Sequence, residues 1–188
     1  MTTPVWADRI AAQTPAPRNS DTNVSGPPQP METIDLWPQE APGMPRPAPV
    51  EALVERSTDP SMSDRTLRGI TRPRLVVFKP NRPNGAGVLL IPGGGYRHVV
   101  VDNEGYEMAR WLAARGFTAF VLFYRLPGDG WQAGPDVALA DAQRAIRSIR
   151  NHAPRFALDP ERVGCMGFSA GGHLCASLST RFASRVYD

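Results

Sequence analysis

Gly167-Phe168-Ser169-Ala170-Gly171 is a G-x-S-x-G pattern, and it makes Ser169 the candidate nucleophile of this chain. Ahead of it, Val163 to Phe168 reads as a short buried strand. Behind it, Ala170 to Arg181 reads as a small-residue helix with Leu174 and Leu178 at helical spacing. A serine between such a strand and helix sits on a sharp, strained turn that lifts its hydroxyl clear of the sheet. Side chains two residues before and two after would collide across that turn, which is the reason for Gly167 and Gly171. The chemistry this implies is acyl transfer. A serine hydroxyl is a weak nucleophile at neutral pH, so it needs a base for its proton and donors for the oxyanion formed on a carbonyl.

The donors are legible. The backbone N–H of Ala170 follows the nucleophile at a helix N-terminus. A second stretch, Pro92-Gly93-Gly94-Gly95-Tyr96, offers Gly94 and Gly95. Three consecutive glycines lose much backbone entropy on folding. They are expected where N–H groups must approach a ligand atom with no side chain in the way; the bland alternative is a flexible turn. The base is harder to name. His173 lies four residues past the nucleophile, a helical turn away from the hydroxyl, and reads as a packing or hydrogen-bonding residue. His98 follows the glycine loop and reads as lining the pocket. His152 reads as a helix terminus, where a cation suits the dipole.

The elements needed to position these residues follow in order. Ile34–Trp37 reads as a first strand, then a proline-laced loop. Thr66–Ile70 and Arg74–Lys79 read as a pair of strands. The turn cluster NRPNGAG feeds Val88–Ile91, an all-apolar run of the kind buried on both faces of a parallel sheet. Glu104–Arg115 reads as a helix with Met108, Trp111, Leu112 and Arg115 on one stripe and Gly116 as its stop. Thr118–Tyr124 is the strongest strand by composition, and Asp136–His152 the clearest helix, with Leu139, Ala142, Ile146 and Ile149 as its apolar stripe. Strands alternating with helices predict an α/β fold, a mostly parallel sheet with helices on both faces. Sites in such sheets lie at the carboxyl ends of strands, where both PGGG and Ser169 fall.

Composition narrows the rest. The 188 residues suffice for one domain with a real core, and 41 % are hydrophobic. Twelve of the 20 prolines precede residue 61, and residues 1–30 lack apolar periodicity, so they read as a disordered tail. The net charge of +3 comes from 20 scattered Arg and one Lys, Lys79, with no basic run, which argues against a nucleic-acid partner. No apolar run approaches the roughly 20 residues of a membrane span. No signal peptide is legible, so the default expectation is cytoplasmic, with a periplasmic or secreted location if a leader precedes this start. Cys165 and Cys175 lack zinc spacing and read as small buried thiols. No metal or cofactor is expected.

Four stretches carry a resemblance: LLIPGGGYRHV at 89–99, DNEGYEMARWLAARGFTAFVLFYRLP at 102–127, DAQRAIRSIR at 141–150 and LDPERVGCMGFSAGGHL at 158–174. In this order the chain resembles α/β-hydrolases of the carbohydrate-esterase-like branch, the group of acetyl-xylan esterases, feruloyl esterases and xylanase-labelled lipolytic proteins. The resemblance implies an α/β-hydrolase fold, Ser169 as nucleophile, Gly94 and Gly95 as oxyanion donors, and small acyl esters, acetyl above all, on carbohydrate. It also implies an acid and a histidine after the nucleophile, in that order. Past Ser169 stand only His173 and the terminal Asp188. Residues 31–188 are therefore expected to be the N-terminal portion of the domain, its last strands missing and the edge of the elbow strand exposed. The alternative reading is a catalytically incompetent fragment, a pseudoenzyme or a binding module; a peptidase of the same fold is weaker.

Overall fold

The computed structural model describes residues 29–187. The tail expected over residues 1–30 lies outside them except for its last two positions. In chain order the elements are β1 (Glu32–Asp35), β2 (Ala52–Glu55), β3 (Arg65–Arg68), β4 (Arg74–Phe78), β5 (Gly87–Ile91), β6 (Val99–Val100), α1 (Met108–Ala113), β7 (Thr118–Phe123), α2 (Val137–Asn151), β8 (Val163–Gly167) and α3 (Ala170–Thr180).

The main sheet has the order β1-β4-β7-β5-β8. Its site-bearing half, β7-β5-β8, is parallel, with Leu89 opposite Phe120 on one side and Cys165 on the other. β1 and β4 join antiparallel at the other edge, making the whole sheet mixed. Every residue of β7 is buried, as its unbroken apolar run requires of a central strand covered on both faces. The register places Phe78, Val121 and Phe123 on one face, where Tyr106 and Gly105 of the α1 segment meet them. Phe120, Cys165 and Gly167 share the opposite face, against Phe156 and α3. Helices thus cover both faces, and the α/β fold is as the alternation of elements predicts.

Four local expectations need correction. The first strand lies at Glu32–Asp35, and Leu36 and Trp37 leave it to enter the core. The two strands near residues 66–79 are not partners. β3 pairs with β2 and β6 in a separate three-stranded antiparallel sheet, and the chain turns at Gly69 (φ +59) before β4. The helix expected from Glu104 opens as a π-helical turn, Asp102–Glu107, and becomes α-helical only over α1. Trp111, expected on the apolar stripe, is 51 % exposed and packs under the Arg115 guanidinium, 3.7 Å from its ring centre.

The small sheet matters for the site. β6 is the return leg of the glycine loop, and Val100 donates to the Gly93 carbonyl at 3.0 Å. β8 is the last strand in the main sheet's order; its residues alternate, Val163 buried and Met166 38 % exposed. Among the described residues no helix is long and apolar enough to cross a membrane.

Candidate active site

Ser169 adopts φ 48° and ψ −118°, a conformation that costs strain for any residue with a Cβ and is expected at a nucleophile elbow. The side chain is exposed. The elbow closes so tightly that a Cβ on Gly171 would lie 2.0 Å from the Ile91 carbonyl oxygen, and one on Gly167 would lie 2.3 Å from that of Gly171. Both glycines of the pentapeptide are thus demanded by contact.

The parallel register sets Ile91 beside Gly167, so the loop leaving β5 and the elbow leaving β8 emerge side by side. A Cβ on Gly93 would stand 3.1 Å from that of Ser169 and 2.6 Å from the Phe168 carbonyl oxygen. The loop is held at the carbonyls of Pro92, Gly93 and Gly94. Tyr124 Oη donates to the Pro92 carbonyl at 3.0 Å, the Gly94 carbonyl accepts from Arg97 and His98, and the Gly93 carbonyl from Val100. Burial pushes the Tyr124 hydroxyl well above the ordinary range, so it stays protonated and keeps donating. Gly94 (φ +130) and Gly95 (φ +62) turn in the region open to glycine. Among the described residues the N–H groups of Gly94, Gly95 and Ala170 donate to nothing. An oxyanion hole needs free N–H donors of this kind aimed at the reacting carbonyl oxygen.

The histidines divide. His173 Nδ1 and Tyr96 Oη form a 2.8 Å hydrogen bond, tying the end of the glycine loop to the first turns of α3. Tyr96 is itself in the left-handed region (φ 58). His98 lies against Gly94. Burial first, then the guanidiniums of Arg56, Arg68 and Arg97, push its imidazole below the ordinary range, so it stands neutral at pH 7. His152 bonds the Ser148 carbonyl at the far end of α2, about 22 Å of helix from the site. No imidazole among the described residues hydrogen-bonds the Ser169 hydroxyl. Cys165 and Cys175 are half-buried and free rather than fully buried. They meet behind the elbow, where hydrogen bonding from Cys175 lowers the Cys165 thiol.

One residue of the site escaped sequence reading. Glu104 Oε2 accepts the Gly93 N–H at 2.6 Å, from the side of the loop facing the π-helical turn. That turn is itself pinned. Asp102 accepts from Arg65 N, Nε and Nη2 at 2.7, 3.0 and 2.6 Å. Burial pushes the Asp102 carboxyl up, but the Arg65 bonds outweigh it and hold the group below the usual range. A cavity of about 510 Å³ opens beside Tyr96 and His173, between α3 and the start of α2.

Residues 77–185 match the BD-FAE family model. The acetylxylan esterase of Xylanibacter ruminicola is 39 % identical over 108 residues, 57 % of this chain and 22 % of that protein. Endo-1,4-beta-xylanase B of Butyrivibrio fibrisolvens is 40 % identical over 97 residues, 50 % of this chain and 15 % of that protein. Among solved structures, an acetyl ester-xyloside bifunctional hydrolase from Caldicellulosiruptor lactoaceticus superposes with a TM-score of 0.56 at 31 % identity, covering 84 % of this chain and 49 % of that one. The chain thus spans about half the length of that structural relative and less than a quarter of each of the two curated ones.

Proposed function

The chain belongs to the BD-FAE family of α/β-hydrolase esterases, and on that premise we propose that it is a serine ester hydrolase acting on small acyl esters, acetyl above all, carried on carbohydrate. The observation that carries this reading is the strained, exposed Ser169 packed beside a glycine loop, with the N–H groups of Gly94, Gly95 and Ala170 donating to nothing among the described residues. Its oxygen would attack the ester carbonyl carbon, and the carbonyl oxygen would take up negative charge between Gly94, Gly95 and Ala170. The alcohol then leaves with a proton, and water releases the acid from the acyl-serine. The acetyl and carbohydrate parts are supported by the names of the relatives, an acetylxylan esterase and an acetyl ester-xyloside hydrolase. A cavity of about 510 Å³ adjoins the glycine loop at Tyr96, without Ser169 among its lining residues, and its volume falls within the range of about 300–1,000 Å³ for small-molecule sites. Tyr96, His173 and Ser177 give that cavity a hydrogen-bonding wall, and Leu139 and Leu174 an apolar one, the pairing a sugar ring needs.

A second reading rests on the unpartnered Ser169 hydroxyl. With no imidazole bonded to it among the described residues, residues 1–188 alone would bind the acyl ester but lack a base for both acylation and deacylation, and turn it over slowly or not at all. p-Nitrophenyl acetate separates the two. Turnover below about 1 s⁻¹, lost in Ser169→Ala, is expected. Faster turnover that still needs Ser169 would discard the second reading and make His98 or His173 the base. Hydrolysis unaffected by Ser169→Ala would discard both.

A further inference from the structure

We infer that Glu104 is a positioning residue: its carboxylate selects which loop N–H groups face the substrate, by taking the Gly93 N–H for itself. The inference rests on the hydrolase reading of Ser169 and adds to it a residue outside the G-x-S-x-G and glycine-loop motifs. Three glycines in a row leave the loop with little intrinsic preference. Something outside it must decide which amides point at the oxyanion and which point back. Gly93 is the decisive position, because it is packed between the elbow and the π-helical turn. A Cβ there would meet the Phe168 carbonyl oxygen at 2.6 Å, Glu104 Oε2 at 2.9 Å and Ser169 Cβ at 3.1 Å.

The 2.6 Å bond from Gly93 N to Glu104 Oε2 occupies that amide, so it is not free for an oxyanion. With the Gly93 amide occupied and its carbonyl held by Val100, the next two amides, Gly94 and Gly95, are left unpaired. The carboxylate is carried by the π-helical turn, whose wider winding sets Glu104 against the loop while Gly105 packs close to the Val100 carbonyl and Val121. Asp102, two residues earlier, anchors the turn to β3 through Arg65. A line of contacts thus runs from the small sheet through the π turn to the glycine loop.

The test uses residues 1–188 and a fluorophosphonate probe at several concentrations, so that the limiting rate of Ser169 labelling separates from the half-saturating concentration. Glu104→Ala is expected to lower the limiting rate about tenfold or more, with half-saturation changed little. Glu104→Gln keeps an acceptor oxygen at the same reach and is expected to restore most of the rate. Glu104→Asp keeps the charge but falls short of Gly93, and should behave as the alanine variant. Wild-type rates in Glu104→Ala or Glu104→Asp would overturn the proposal. So would a glutamine variant as slow as alanine, which would mean that charge rather than hydrogen bonding matters. Hydrogen exchange at the Gly93 amide reads the bond without catalysis. It should be protected in the wild type and in Glu104→Gln and fast in Glu104→Asp; fast exchange in the wild type overturns the proposal even where the alanine variant fails to fold. A wild-type chain that never labels sinks the hydrolase reading instead, and Gly93 exchange then decides the hold of Glu104 on the loop by itself.

Discussion

Replacing Ser169 by alanine is expected to abolish fluorophosphonate labelling of this chain, from one probe per molecule to background. The probe's phosphorus takes the place of the ester carbonyl carbon: the serine oxygen bonds to it, fluoride leaves, and the phosphoryl oxygen seeks the donors an oxyanion would use. Each such donor contributes about 10²–10³ in rate at a formed site. The other described serines lack that setting. Ser177 lies two turns along α3 with its backbone N–H inside the helix, and Ser179 spends its hydroxyl on the Cys175 carbonyl at 2.9 Å. Among the described residues Ser169 alone combines exposure and a left-handed φ of 48° with unused N–H groups on its own helix and the neighbouring loop. Intact-mass measurement reads the result directly. Undiminished labelling of Ser169→Ala would remove the nucleophile assignment, and everything proposed for the loop would lose its purpose.

Most of this setting was legible because the elbow is specified by near neighbours in sequence. The G-x-S-x-G spacing, the apolar run before it and the Leu174/Leu178 spacing after it are local signals, and Gly167 meets Gly171 within the elbow, whereas Gly171 also answers to the Ile91 carbonyl oxygen on β5. β7 and α2 were legible for the same reason. What escaped depends on partners far along the chain. Glu104 reads as an ordinary first-turn helical acid, and only the fold brings it to Gly93, eleven residues earlier and one strand away. The π turn leaves no local signature that separates it from an α-helical start. β2 and β6 are too short and too dependent on β3 to announce themselves, and Trp111 shows that an apolar side chain at the right spacing can still face outward. Arg125 and Asp141 fell in two separately matching stretches with nothing in either to show that they meet.

Their meeting underlies the largest stability effect expected here. Asp141 is fully buried on α2 and accepts from Trp37 Nε1 at 2.9 Å, from the backbone N of Arg125 at 2.9 Å, and from Arg125 Nη2 at 2.7 Å. Arg125, 1 % exposed, also donates to the Pro42 carbonyl at 2.8 Å and lies between the rings of Trp37 and Trp131. One carboxylate therefore joins α2, the end of β7 and the proline-laced loop after β1. Asp141→Ala removes the acceptor but leaves the guanidinium buried, a situation that costs about 3–5 kcal/mol. Against a total stability of about 5–15 kcal/mol, this is a third or more for a domain in the middle of that range. The thermal midpoint is expected to fall by roughly 6–20 °C, at 2–4 °C per kcal/mol for a chain of this size. Asp141→Asn keeps the volume and one acceptor oxygen, so it should fall by less. The loss should also reach the site before global unfolding, because Tyr124, next to Arg125, holds the Pro92 carbonyl at the root of the glycine loop. Ser169 labelling in Asp141→Asn should accordingly slow at temperatures where circular dichroism still reports a folded chain. A midpoint shift under about 2 °C in Asp141→Ala would mean that solvent reaches Arg125 once its partner is gone, and that the network does not bind the three segments together.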